Sequence, residues 1–101
     1  MAVDNFKLQI LSRAKLEVDE AADYYESKSK GVGKLFYLEF KSYRKTLENI
    51  PFFEEKYNTV RTLPLKKFPY TIHFKVDENK KTVFILAVTS NYQDPNTTRI
   101  K

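Results

Sequence analysis

The hydrophobic and polar positions of the chain follow two different periods, and the change between them falls at Pro51. In most of the chain before Pro51, apolar residues recur every three to four positions, which is typical of helices with one buried face. After Pro51, apolar and polar residues alternate, which is typical of strands with one buried face. The pattern therefore predicts a mainly helical first half and a second half made of strands.

A short strand is predicted ahead of the helices, in the segment FKLQIL at residues 6–11. Strict alternation over six residues favours a strand with one face in the core. The apolar face carries Phe6, Leu8 and Ile10, and the polar face carries Lys7 and Gln9.

Two amphipathic helices are predicted next, joined by a turn that contains Gly31 and Gly33. We expect the side-chain oxygen of Ser12 to cap the first helix and the glycines to end it. The second helix is expected to run from about residue 34 to residue 49 and to stop before Pro51. Because each helix has a single apolar stripe, the two should pack as an antiparallel hairpin. The stripes are Ala14, Val18, Ala21 and Tyr25 in the first helix, and Phe36, Phe40, Tyr43, Leu47 and Ile50 in the second.

Three strands are predicted after Pro51, at residues 59–66, 68–76 and 82–88. Pro64 has no backbone N–H to donate, so the first of these strands should have an edge or a bulge there. The third is apolar on both faces, as a central strand covered on both sides would be. In the second strand the apolar face consists of Phe68, Tyr70, Ile72, Phe74 and Val76.

The order of elements predicts a single α+β domain spanning residues 1–101. It consists of an N-terminal strand, an antiparallel helical hairpin and a three-stranded antiparallel meander, with all strands in one sheet. The hairpin should cover one face of the sheet and leave the other open. The residues expected on or beside this open face are Arg61, Lys66, Lys67, Thr71, His73 and Lys75, so the face should be basic.

Composition narrows the chemistry and suggests the charge of a partner. The chain has no cysteine, which excludes disulfides, thiolate metal sites and a cysteine nucleophile. The net charge of +5 is uneven, because residues 1–26 carry three basic and six acidic side chains and all the excess positive charge follows. This favours an acidic partner, either nucleic acid or an acidic protein segment. The beginning of the chain does not resemble a secretory signal and no apolar run could span a membrane, so we expect a cytoplasmic protein with no membrane partner.

Taken together, these segments resemble the RelE/ParE superfamily of toxins from bacterial type II toxin–antitoxin systems, often called plasmid stabilization proteins. The resemblance covers nearly the whole chain and depends on the order and spacing of several motifs. These motifs are AKLEVDEAADYYESKSKGVGKLFYLEF (helix, glycine turn and aromatic second helix), ENIPFF (helix-ending proline), VRTLPLKKFPYTIHFKVDE (arginine strand, then a Phe-Pro-Tyr strand) and VFILAVTSNYQDP (last strand with Asp-Pro). The long first helix and the Phe-Pro-Tyr strand are more similar to the ParE-like branch.

The resemblance implies a toxin that is neutralised by a cognate antitoxin, and two kinds of activity. ParE-like members poison DNA gyrase by binding it, whereas RelE-like members cut mRNA on the ribosome; other relatives are non-toxic. Fold alone does not choose among these activities. The antitoxin is expected to lay an acidic, amphipathic segment over the basic open face and the helical hairpin, and to fold as it binds. Both a homodimer and a hetero-oligomer with the antitoxin remain open. No cofactor or metal is implied.

The candidate site departs from the ribonuclease pattern that the resemblance implies. Where such ribonucleases have an arginine after the aromatic residue of the third strand, this chain has Thr71, and after the last strand it has Asn91. The residues that could still supply catalysis are Arg61 and His73, the only histidine, which could act as a base near neutral pH. For binding a target or a nucleic acid, the candidates are Arg61, Lys66, Lys67, Lys75, Asn91, Tyr92 and Arg99. We therefore expect a binding toxin of the ParE-like type, with a ribosome-dependent mRNA endonuclease and a non-toxic interaction module as alternatives.

Overall fold

The computed structural model describes residues 6–49, 51, 55–57 and 59–91. Two helices lie against one face of a five-stranded sheet whose strand order is β1-β5-β4-β3-β2. The elements are β1 (Lys7–Ile10), α1 (Ser12–Lys28), α2 (Val32–Asn49), β2 (Glu55–Tyr57), β3 (Val60–Pro64), β4 (Tyr70–Asp77) and β5 (Thr82–Ser90). Neither helix in the described part of the chain is long and apolar enough to span a bilayer.

The predicted α+β architecture is confirmed, and the sheet has two features that the sequence pattern did not indicate. The short strand β2 adds a fifth strand beside β3. β1 pairs with β5 in parallel, with Lys7 opposite Thr82 and Ile10 opposite Ile85, while β3, β4 and β5 form the expected antiparallel meander. The parallel pair follows from the connection after β1, because the helical hairpin and the meander carry the chain back to the starting end of β1.

The core lies between the hairpin and one face of the sheet, and both predicted helical stripes face it. Ala14, Val18, Phe36 and Leu47 have at most 4% of their surface exposed, and Tyr25 is partly buried against the same cluster. Ile50 lies outside the described residues. The strands contribute Ile72, Phe74, Val83, Ile85 and Val88 to the same cluster.

The ends of the helices differ from the prediction at both sides of the turn. α1 begins at Ser12 itself, Leu11 occupies the cap position, and no side chain caps the helix there. The helix ends at Lys28, before the glycines. Gly31 has a φ of +91°, a conformation that favours glycine, whereas Gly33 is a buried residue inside α2.

Two α1 carboxylates fasten the helix to neighbouring backbone. Glu26 accepts hydrogen bonds from the N–H groups of Gly31 (3.0 and 3.1 Å) and Gly33 (3.0 Å), and so satisfies donors at the start of α2. Glu17 accepts a 2.8 Å hydrogen bond from the N–H of Val88 on β5. Glu26 thus joins the two helices of the hairpin to each other, and Glu17 joins the hairpin to the sheet.

A bulge in β5 decides which of its apolar residues reach the core. His73 on β4 stands opposite Ala87, but the next residue, Phe74, stands opposite Ile85, so Leu86 is an extra residue on β5. The side chains of Val83, Ile85 and Val88 therefore share the core face. β5 is a central strand, as predicted, and it continues to Ser90 instead of ending at Val88.

Candidate functional site

The lysine turn, which we define as Lys66 and Lys67 between β3 and β4, is held in place by a buried carboxylate. Glu39 on α2 is 9% exposed, and its Oε2 accepts hydrogen bonds from the backbone N–H groups of both lysines at 3.0 Å. The hydroxyl of Tyr43 accepts a second hydrogen bond from the N–H of Lys66, at 3.1 Å. These bonds fix the backbone of the turn while both lysine residues stay exposed. The turn can therefore present two cations to an anionic partner from a defined position.

A row of neutral polar side chains lies across β4 and β5 on the face away from the helices. Nε2 of His73 and Oγ1 of Thr89 share a hydrogen bond of 2.8 Å. The hydroxyl of Thr71 donates a 2.6 Å hydrogen bond to Oδ1 of Asn91, whose backbone N–H is bound to the carbonyl of Pro69. Thr71 and Thr89 stand opposite each other in the ladder, which brings the two hydrogen bonds together. We call these four side chains the polar row.

His73 lies on this face, as predicted, and its side chain is buried. Only 6% of its surface is accessible. Burial lowers the pKa of His73 below the ordinary 6.5, and the charge of Arg13 lowers it further. The imidazole is therefore neutral at pH 7, and its contact with solvent is small.

Arg61 does not lie beside His73, and the prediction of that pair is wrong. In the antiparallel ladder Arg61 stands opposite Phe74, while the residue opposite His73 is Thr62. Residues opposite each other in a ladder project to the same face, and successive residues project to opposite faces. Arg61 and His73 consequently leave the sheet on different sides. The apolar residues of β3 do not reveal its register with β4, and this register decides which face of the sheet Arg61 occupies.

The other residues considered for the site lie in different places: one on the face of the polar row, one in the core and two outside the described residues. Lys75 is exposed and lies on the face of the polar row, since it alternates with His73 along β4. Tyr70 packs with Tyr25 and Phe36 at ring-centroid distances of 6.1 and 5.3 Å, as expected for a core residue, and burial raises its pKa. Tyr92 and Arg99 lie outside the described residues.

A second group of cations, which the sequence pattern did not indicate, lies on the helical side of the molecule. Lys15, Lys41 and Arg44 border a groove of about 440 Å³ beside β1. Lys41 and Arg44 follow Tyr37 and Phe40 at helical spacing, so they could have been identified as the polar border of the apolar stripe. Cations therefore border this groove as well as forming the lysine turn.

Acid should destabilise the protein through His73. The pKa of His73 is lower in the folded chain than its ordinary 6.5, so the unfolded chain binds the proton more readily. The stabilising contribution of neutral His73 should be fully present above pH 6.5. Below pH 6.5 the free energy of unfolding should fall by at most about 1.4 kcal/mol per pH unit. Urea unfolding at intervals from pH 7.5 to 5.5 measures this slope.

The variant His73→Gln is the control for this measurement, because it keeps a polar side chain and removes the only histidine titration in the chain. Its stability should be flat over the same interval. An equal slope in the variant and the parent would contradict the assignment to His73.

Comparison with solved structures shows that the fold is that of the RelE/ParE toxins. A chain from the chromosomal ParDE toxin–antitoxin system of P. aeruginosa superposes with a TM-score of 0.75 at 20% identity, covering 86% of this chain and 97% of that chain. A chain of the intact E. coli RelBE toxin–antitoxin complex gives 0.59 at 20% identity, covering 87% and 99%. A chain of a RelBE toxin–antitoxin complex from Mycobacterium tuberculosis gives 0.61 at 11% identity, covering 88% and 94%.

Sequence comparison adds nothing to this result, since no protein-family model matches the chain and no curated protein does either. The similarity is therefore one of fold. The fold alone does not decide the activity of this chain, which depends on the residues of the site.

Proposed function

We propose that this chain is the toxin of a bacterial type II toxin–antitoxin system, of the ParE-like kind, which acts by binding a target such as DNA gyrase and is neutralised by a cognate antitoxin. The similarity to the ParDE chain, with a TM-score of 0.75 over 86% of the molecule, is the observation that carries the proposal. Such a toxin would act in the cytoplasm, where gyrase and ribosomes are found.

The chemistry of the site supports binding more than catalysis. Metal-independent cleavage of RNA needs a group that takes the 2′-OH proton, a group that protonates the leaving oxygen, and cations that stabilise the charge between them. In the polar row the single imidazole is buried against Thr89, and Arg61 is on the other side of the sheet. The lysine turn, in contrast, offers two exposed cations on a fixed backbone, which suits recognition of an acidic surface.

A ribosome-dependent endonuclease is the second candidate, favoured by the RelBE chains among the structural neighbours. It would have to draw on Arg61, Lys66, Lys67 and His73. A non-toxic relative retained as an interaction module is the third candidate, and it would keep the antitoxin as its only partner.

Expression of the chain alone in a bacterium separates these candidates. A gyrase-binding toxin should stop growth and change the supercoiling of a reporter plasmid, whereas an endonuclease should stop growth and produce cleavage sites in toeprints of translated mRNA. Co-expression of an acidic protein encoded by an adjacent reading frame should restore growth in both cases. Normal growth with unaltered supercoiling would reject the toxin and leave the interaction module.

Two double variants test the role of the lysine turn. Lys66→Gln with Lys67→Gln should weaken growth arrest, because it removes the two cations at the binding surface. Lys30→Gln with Lys34→Gln removes the same charge from exposed positions at the hairpin turn and should leave growth arrest intact. Equal toxicity of both variants would exclude the lysine turn from the target interface.

A further inference from the structure

A cleft of about 410 Å³ lies between the outer side of α2 and the lysine turn, and its walls are mainly apolar. We call it the leucine cleft, because Leu35 and Leu38 form the wall on α2 and remain 55% and 51% exposed. Exposed apolar side chains that are grouped beside polar residues are typical of an interaction site. The residues that line the cleft are Leu35, Leu38, Glu39, Ser42, Lys67 and Phe68.

The cleft has a fixed shape, because contacts within the chain hold its other groups in place. The ring of Phe68 lies 4.8 Å from that of Tyr25 and 5.1 Å from that of Phe36. The hydroxyl of Ser42 donates a 2.7 Å hydrogen bond to the carbonyl of Glu39. Since these groups are already ordered, a ligand that enters the cleft does not have to order them.

The rim of the cleft is positively charged. Lys67 is exposed beside Lys66, and within the described part of the chain it forms no ion pair. Oε2 of the buried Glu39 is directed at the backbone amides of the turn, so an acidic group of a ligand would meet the two lysines first. The cleft therefore matches a polypeptide segment in which an apolar side chain stands close to Asp or Glu.

Charge and shape disfavour two other occupants. In a symmetric dimer the same surface of both copies would meet, so two lysine turns would face each other and repel. A single-stranded nucleic acid binds through its phosphates and by stacking its bases on exposed aromatic rings. The leucines offer no such ring, and they would contribute little to that kind of binding.

We propose that the leucine cleft is part of the surface through which this chain binds its target protein, taking up an apolar side chain of the target while the lysine turn binds an adjacent acidic residue. The identification of the partner as the target rests on the function proposed above, since the cleft and the lysine turn share Lys67. Leu35 and Leu38 are then residues that determine specificity for the target.

Selection of displayed random 12-residue peptides on the immobilised full-length chain tests the chemistry of the cleft. Enriched peptides should carry Leu, Ile, Met or Phe close to Asp or Glu. Synthetic copies should bind the double variant Leu35→Gln with Leu38→Gln at least about tenfold more weakly than the parent. Glutamine is used because it removes the apolar surface and is a good helix former.

Leu16→Gln is the matched control for the peptide measurement. Leu16 is 59% exposed and lies on α1, away from the lining of the cleft. Its replacement should change peptide affinity less than about twofold. Thermal melts of each variant check that a loss of binding does not come from unfolding.

Growth arrest connects the cleft to the target. The double leucine variant, expressed alone, should lose growth arrest, whereas Leu16→Gln should arrest growth as the parent does. The acidic protein of the adjacent reading frame should still copurify with the double leucine variant. Growth arrest that persists in this variant while the acidic protein no longer copurifies would assign the cleft to the antitoxin and overturn the proposal.

Three results of the binding experiments would also overturn it. These are the absence of enriched peptides that combine an apolar and an acidic residue, equal binding of such peptides by the double leucine variant and the parent, and displacement of the peptides by an RNA oligonucleotide. A dimer in light scattering that the double leucine variant dissociates would assign the cleft to a second copy of the chain instead.

The peptide experiment and the growth experiment fail independently. If the parent does not arrest growth but the peptides bind through the two leucines, the cleft stands as a peptide-binding site and the toxin function is rejected. If the parent and the double leucine variant arrest growth equally, the function stands and the cleft is rejected as the target site.

Discussion

Replacing Phe36 by alanine should lower the free energy of unfolding by about 4 kcal/mol, the largest effect we expect from a single substitution in this chain. Phe36 is completely buried. Its ring lies 5.1 Å from that of Phe68 and 5.3 Å from that of Tyr70, both edge to face, and it stacks on Tyr25 at 5.8 Å. The substitution removes all three contacts and leaves a cavity between the hairpin and the sheet. Urea unfolding followed by circular dichroism measures the loss.

Because domains of this size are stable by only about 5–15 kcal/mol, the variant Phe36→Ala should lose between about a quarter and four-fifths of the chain's stability. Leu35→Ala and Leu38→Ala are matched controls on the same helix, since these side chains are 55% and 51% exposed. Both should retain the parent's stability to within about 0.5 kcal/mol. A loss of similar size in the controls would show that α2 is held by contacts other than those of the aromatic cluster.

Gly33→Ala should destabilise the chain by about 2–3 kcal/mol, because it places a methyl group between the two helices. A Cβ at this position would lie 2.7 Å from the backbone carbonyl oxygen of Ala22 and 3.0 Å from Oε1 of Glu26. The carbonyl belongs to α1 and cannot turn aside as a side chain would. The helices must therefore separate, and the hydrogen bond from the N–H of Gly33 to Glu26 lengthens as they do. Thermal denaturation should report a fall in Tm of about 10–20 °C.

Asparagine at each glycine of the turn separates the two roles that glycine has there. At Gly31 a Cβ would meet nothing within 4 Å, and the positive φ is one that asparagine tolerates, so Gly31→Asn should be mild. Gly33→Asn should be at least as damaging as Gly33→Ala, because the obstacle there is space. If both asparagine variants were equally stable, close approach of the helices would not be the reason for glycine at position 33.

The sequence predicted which helical residues form the core because α1 and α2 each have a single apolar stripe, which leaves one way to bury it. The same argument failed at β5, where six consecutive apolar residues are compatible with either face. The bulge at Leu86 decides the matter, and it depends on pairing with β4, which no local pattern encodes. The strand β2 escaped prediction because three residues carry too little periodicity.

The sequence predicted the exposed lysines of the candidate site, but it did not predict the buried Glu39 that holds their backbone in place. Glu39 sits between Phe36 and Phe40 on the stripe of α2, and an acidic residue at a core position is a sign of a specific partner. Its partners are the backbone amides of the lysine turn, which a sequence cannot display. The burial of His73 was missed for a related reason, since Thr89 covers it across a ladder whose register was unknown.

The pairing of the first strand with the last also limits how early during synthesis the complete sheet can form. Residues 7–10 leave the ribosome early, but their strand partners are Thr82–Ile85, near the other end of the chain. At typical rates of synthesis the interval between the two is roughly 4 to 14 seconds. During that time β1 has no neighbour, and a groove that includes Ile10 has no sheet edge behind it. Any molecule that binds this groove therefore binds the finished chain and not the nascent one.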